Sequence, residues 1–188
     1  MATVLPMKWL SEKYLTMRGW TIEGTMPQAS KFVIIGAPHT SNWDFMVFLA
    51  LIHHFDLRVR FLIKDNVMVW PLSWFMTRWG AISVDRSSGH HLIDTVVASF
   101  DESDEMILVL APEGTRSKAD RWKSGFWRMA DAADVPIVMA YVDGETKRLG
   151  AGPAVKVDGD PDAWIEQANA FYSDKHGLNP HNAGPVQL

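Results

Sequence analysis

The chain has 188 residues, 47% of them apolar, enough for one domain with a substantial core and without a composition break that would divide it. Its net charge of −4 argues against a broad nucleic-acid-binding face, and the absence of cysteine excludes disulfides, a thiolate nucleophile and sulfur metal ligands. The longest uninterrupted apolar run, residues 45–52, falls far short of the ~20 residues that span a bilayer, and the N-terminal stretch lacks the ordered regions of a secretory signal, so the expected location is cytoplasmic.

In chain order, a first helix is expected over residues 4–18, carrying Trp9, Leu10, Tyr14 and Met17 and stopped by Gly19, with a short strand at 20–23. Residues 31–35 read as a buried strand. Beyond them Phe45, Phe48, Leu49 and Ile52 recur at helical spacing, which predicts a helix over 42–54 with His39 in the connecting loop. Strands are expected at 57–63 and 81–84, separated by a short helix over 71–79. A polar turn at 85–89 then leads into a helix over 90–100.

Residues 106–110 form an apolar run of strand length, ended by Pro112 and the polar loop Glu113-Gly114-Thr115-Arg116. A helix over 126–134 and a strand over 136–142 follow. Asp160-Pro161-Asp162 supplies a cap, a proline at the first helical position and an acid in the first turn, so 161–172 is expected to be helical. From Ser173 onward the Gly- and Pro-containing tail reads as irregular or loosely held. Apolar runs without polar alternation, separated by helical patterns, give an α/β fold: a single domain over residues 1–188 with a mainly parallel central sheet flanked by helices.

The sequence lacks the serine-hydrolase elbow, the Walker loop, the dinucleotide glycine fingerprint and the zinc-protease His pair. What it offers is His39 and Asp44, five positions apart at a strand-to-helix junction. Asp44 fits two roles: it completes a capping pattern with Ser41, and it can orient the His39 imidazole as a base. The loops at His39, at Asp85-Arg86 and at 113–116 all follow strand-like runs, and such loops converge at one end of a parallel sheet. Arg86 and Arg116 then form a natural clamp for phosphate oxygens, with Gly114 permitting close approach and Thr115 adding a hydroxyl donor.

The adjacent pairs His53-His54 and His90-His91 point in different directions on a helix, and no metal site is expected. The triplet Asp158, Asp160 and Asp162 lacks the glycine and terminal Glu of a calcium loop. Two stretches mix tryptophan with basic residues. Residues 67–79, with Trp70, Trp74 and Trp79, suit either the headgroup level of a bilayer or one face of a buried helix. The cluster Lys118, Arg121, Trp122, Lys123, Phe126, Trp127 and Arg128 suits anionic headgroups, the phosphates of a ligand, or a solvated helix face.

His39-Thr40-Ser41-Asn42-Trp43-Asp44 resembles the His-x4-Asp motif of the glycerolipid acyltransferases, the superfamily that includes the lysophosphatidic acid (1-acylglycerol-3-phosphate) acyltransferases. Residues 80–86 are similar to that family's second block, Pro112-Glu113-Gly114-Thr115-Arg116-Ser117 matches the third, and Val135-Pro136-Ile137-Val138 the fourth, all in the family's order. The departures are Pro38, where many members have Asn, and Met139, where a second Pro is common.

The resemblance implies transfer of a fatty acyl group from an acyl-CoA or acyl-carrier-protein thioester to the hydroxyl of lysophosphatidic acid or a related lysolipid, with no bound cofactor. His39 would be the general base and Asp44 would hold its imidazole; Glu113 would fix Arg86 or Arg116, or bond an acceptor hydroxyl. Peripheral attachment to the inner face of a membrane is the accompanying expectation. A soluble O-acyltransferase with another phosphorylated or sugar acceptor, and a non-catalytic lipid-binding module of the same fold, are the alternatives.

Overall fold

A computed structural model of the chain describes residues 5–65, 69–84 and 89–188. At its centre lies β2 (Lys31–Gly36), whose Phe32, Val33, Ile34 and Ile35 are all almost fully buried. A strand buried on both faces must be flanked by strands and covered twice, and β2 meets both demands. It pairs in parallel with β5 (Met106–Leu110) on one side and β6 (Ile137–Asp143) on the other, so that Val33 lies opposite both Leu108 and Ile137. Each such aliphatic side chain taken from water stabilises the fold by ~1.5–3 kcal/mol before its ordering entropy is subtracted.

The sheet extends beyond β5 through β3 (Val59–Lys64) and β4 (Ala81–Val84), again in parallel. Beyond β6 the direction reverses. There β7 (Arg148–Val155) runs antiparallel to β6, and β1 (Thr21–Glu23) pairs parallel with β7. The order β1-β7-β6-β2-β5-β3-β4 is that of a mostly parallel α/β sheet. Among the described strands, β7 is the one that the sequence does not announce.

One face is covered by α1 (Leu5–Met17) and α2 (Asn42–His54), which pack on each other. Their polar seam is defined: Ser11 Oγ lies 3.1 Å from His53 Nδ1 and Glu12 pairs with His54 Nδ1 at 2.8 Å. Leu15, Val47, Ala50 and Leu51 close the core beneath them. The opposite face carries α4 (Gly89–Asp101), α5 (Gly125–Ala132) and α6 (Pro161–Tyr172), over a larger core that includes Phe100, Trp122, Phe126 and Trp164. The short α3 (Leu72–Arg78) adjoins β4.

The path of the chain creates the functional crevice. From β2 the chain crosses by α2 to β3 on one side, whereas from β5 it crosses by α5 to β6 on the other. Adjacent strands whose connections leave in opposite directions open a cleft outside their carboxyl ends. The loops after β2 and β5 line that cleft.

The tail is irregular but held. It contains a single short 3-10 turn, Pro180–Asn182, and is fixed by Asn169 Nδ2 to the Val186 carbonyl (2.7 Å), by the Trp122 N–H to the Gln187 carbonyl (2.7 Å) and by Gln187 Nε2 to the Asp120 carbonyl (2.8 Å).

Candidate functional site

Ser41 is extended and stands at the N-cap of α2, its hydroxyl accepting from the Trp43 N–H at 3.2 Å. Asp44 returns the bond: its Oδ2 accepts the N–H of Ser41 at 2.7 Å and of Thr40 at 2.5 Å. The same oxygen lies 3.2 Å from His39 Nδ1. The two roles open to Asp44 are therefore compatible, since one buried carboxylate caps the helix and faces the imidazole. With the Nδ1 hydrogen directed at Asp44, the His39 Nε2 lone pair is left available as a proton acceptor.

Asp44 is only 5% exposed, and its Oδ1 has no hydrogen-bond partner among the described residues. The two N–H donors and the imidazole all meet its Oδ2. Glu113 is a second buried carboxylate, also 5% exposed. Its Oε1 accepts the His39 backbone N–H at 3.0 Å, while Oε2 is without a partner among the described residues. Burial raises the Glu113 carboxyl above its ordinary value of 4.5, against the opposing effect of that hydrogen bond.

This corrects the expected role of Glu113 toward Arg116. The Arg116 guanidinium bonds instead to Asn42 Oδ1, at the start of α2, and Glu113 fixes the backbone of His39. Arg86 and its neighbours 85–88 lie outside the described residues. Lys123 stands closer to the motif than the sequence suggests, because Gly114, at φ 65°, leaves room for it: a Cβ on Gly114 would come within 2.9 Å of Lys123 Cε. The Lys123 N–H also donates to the Pro112 carbonyl at 2.9 Å, so the loop folds back beside its own glycine.

Two cavities meet at His39. The smaller, of about 150 Å³, is lined by Ala37, Pro38, Phe48, Val109 and Tyr141 with His39 and Asp44 at its rim. It is mainly apolar. The larger, of about 610 Å³, is lined by His39, Leu92, Pro112, Thr115, Arg116 and Lys123. Neither Arg116 nor Lys123 has a carboxylate partner among the described residues.

The profile of the Acyltransferase family matches residues 20–143, which include every element that builds this cleft. The chain belongs to the Acyltransferase family. Among solved structures, the crystal structure of the 1-acyl-sn-glycerophosphate (LPA) acyltransferase PlsC from Thermotoga maritima is similar, with a TM-score of 0.58 at 13% sequence identity over 92% of this chain and 80% of that one. At that identity the likeness is one of fold. No curated protein sequence matches the chain.

The remaining candidate residues of this acyltransferase divide sharply. Trp70, Trp74 and Trp79 are 84%, 59% and 67% exposed, whereas Trp122 and Trp127 are buried in the core with Phe126, so those two rings are packing residues. Lys118 and Arg128 are exposed. Among the described residues no group of three His, Cys, Asp or Glu side chains is gathered as metal ligands, and no helix is long and apolar enough to cross a membrane. Sequence reasoning missed Asn42 as the anchor of Arg116; its position inside the His39 motif was the available signal.

Proposed function

We propose that the protein transfers a fatty acyl group from an acyl-CoA or acyl-carrier-protein thioester to the hydroxyl of lysophosphatidic acid or a closely related lysolipid. The observation that carries this reading is the His39–Asp44 pair, 3.2 Å apart, at the junction of an apolar cavity and a larger one bearing Arg116 and Lys123. An acyl chain suits the first and a phosphate group the second.

His39 Nε2 takes the proton of the acceptor hydroxyl as its oxygen attacks the thioester carbonyl. Asp44 holds the imidazole in one tautomer and stabilises the imidazolium formed. The carbon–sulfur bond then breaks, the thiolate leaves and the imidazolium returns the proton to it. No acyl-enzyme is required, because the thioester arrives already activated.

Contact with the membrane surface completes the reading. Val69, Trp70, Trp74 and Trp79 project from one short segment, and Trp9, Leu10 and Met17 are equally exposed on α1, where Lys13 lies 4.8 Å from the Trp9 ring. Exposed rings beside cations suit the headgroup level of an anionic leaflet, here assigned to the inner face of the membrane. Vesicle co-sedimentation with phosphatidylglycerol should fall in Trp74→Ala and at high salt; wild-type protein that never sediments removes the membrane from the proposal.

The test of the reaction is incubation of the purified protein with palmitoyl-CoA and a panel of lysophosphatidic acid, glycerol 3-phosphate and a sugar phosphate. Thiol release is followed and products are identified by mass spectrometry. Acylated lysophosphatidic acid is the expected product. Thiol release without an acylated acceptor indicates hydrolysis and overturns the reading.

A further inference from the structure

Thr40, the residue after His39, is 2% exposed, and all its polar groups are engaged. Its N–H donates to Asp44. Its other two bonds come from the far end of the chain: Oγ1 accepts the Asn179 N–H at 3.0 Å and the carbonyl accepts from Asn182 Nδ2 at 3.1 Å. The Thr40 carbonyl and the Ser41 N–H belong to one rigid peptide plane. Asn182 therefore holds one end of a plane whose other end donates to Asp44 at 2.7 Å.

The same segment supports the second loop of the cleft. Gln187 bonds to the Asp120 carbonyl and accepts from the Trp122 N–H, and Gly184 passes so close that a Cβ there would stand 2.1 Å from the Ala119 carbonyl oxygen. Upstream, Gly177 is pressed on Thr40, where a Cβ would come within 2.8 Å of Oγ1. The Gly177 carbonyl also accepts the Gly144 N–H at 2.9 Å, next to the end of β6. Residues 177–187 thus touch the loop after β2, the loop after β5 and the turn after β6.

We infer that residues 177–187 act as a positioning strap for the active site, with Asn182 setting the Thr40–Ser41 peptide that orients Asp44 and, through it, His39. This rests on the assignment of His39 and Asp44 as the base and its orienting group. Asn182 bonds to the Thr40 carbonyl, and Arg116 bonds to Asn42 instead, so loss of the Asn182 amide should act on turnover and not on substrate binding. A displacement of the order of 1 Å in such a group can cost up to ~10²-fold in rate.

The test uses the full chain. Asn182→Ala, at a half-buried surface position, should lower kcat about 10-fold with KM for palmitoyl-CoA and acceptor essentially unchanged. Thr40→Val, which deletes the hydroxyl at nearly constant shape, should do the same, and Thr40→Ser should recover most of the loss. In an Asp44→Asn background Asn182→Ala should remove little more, because both act through one group; a general loss of stability would instead multiply in full. Should Asn182→Ala not fold, the Thr40→Val and Thr40→Ser pair decides. Wild-type kcat in Asn182→Ala, or full multiplication with Asp44→Asn, while His39→Ala is inactive, overturns the strap alone. Unimpaired His39→Ala overturns the strap and the proposed mechanism together.

Discussion

Between β2 and α2 the donors of the chain are held by fixed partners: two N–H groups and an imidazole on Asp44, the His39 N–H on Glu113, and the Thr40 carbonyl in turn by Asn182. Between β5 and α5, Thr115, Arg116 and Lys118 are exposed, and the cations facing the cavity lack a carboxylate partner among the described residues. A group that must keep one orientation to move a proton needs the first kind of loop; cations that must meet an incoming anion need the second. Rate and affinity should therefore separate between them.

The sharpest break of that contrast would come from His39. His39→Ala should lower kcat by ~10²–10⁴-fold with KM for both substrates little altered in steady-state kinetics, and full turnover by a folded variant would end the assignment. Asp44→Asn should also impair turnover. Asn can still accept from Thr40 and Ser41, so an unchanged thermal midpoint with lost kcat would separate orientation from capping.

In the exposed loop the effect should fall on binding. Arg116→Ala should raise KM for lysophosphatidic acid roughly 10-fold or more, the scale of a charge-assisted hydrogen bond at about 1.5–3 kcal/mol, and should raise KM for palmitoyl-CoA less. Arg116→Lys should be a partial rescue, because an ammonium cannot make the two-pronged contact. Equal changes for both substrates would place the guanidinium at the coenzyme.

The smallest effect concerns Glu113 and appears in stability. Because burial raises its carboxyl above 4.5, the folded chain retains a proton at pH values where the unfolded chain has lost it. Stability from this group then falls as pH rises from 4.5 through the raised value. Glu113→Gln, which still accepts from the His39 N–H, should gain on wild type in denaturant midpoint near neutrality and lose that advantage below 4.5. A difference independent of pH would show that the buried charge imposes no such cost.

The sequence was readable where local chemistry sets structure. Helices over 42–54 and 161–172 are found with those bounds because their caps, Ser41 with Asp44 and Asp160 with Pro161, are written beside them. The strand β7 was not readable, since its packing demands small residues in place of an apolar run. A Cβ on Gly150 would meet the Glu23 carbonyl oxygen at 2.4 Å, and Gly152 and Pro153 fall where the register with β6 shifts, a position that tolerates proline.

The two Trp and basic stretches carry a related lesson. They look alike in sequence, yet Trp70 is exposed and Trp127 is 8% exposed, because a neighbouring cation does not fix which way a ring points. The helical phase of α5 does, placing Phe126, Met129 and Ala130 inward and Arg128 outward. In the site, His39, Asp44, Glu113 and Arg116 were legible from short blocks and do gather at the cleft. The contacts of Thr40 with Asn179 and Asn182 were not, since they join residues 139 and 142 positions apart with no periodic or compositional trace.

That separation also has a meaning in time. A ribosome adding ~5–20 residues per second would make His39 and Asp44 on the order of ten seconds before Asn182 emerges. Through that interval the nascent chain would carry the imidazole and its carboxylate without the amide that sets the peptide between them. Acylation competence should thus be acquired only once Asn182 has been made, well after the central strands can pair.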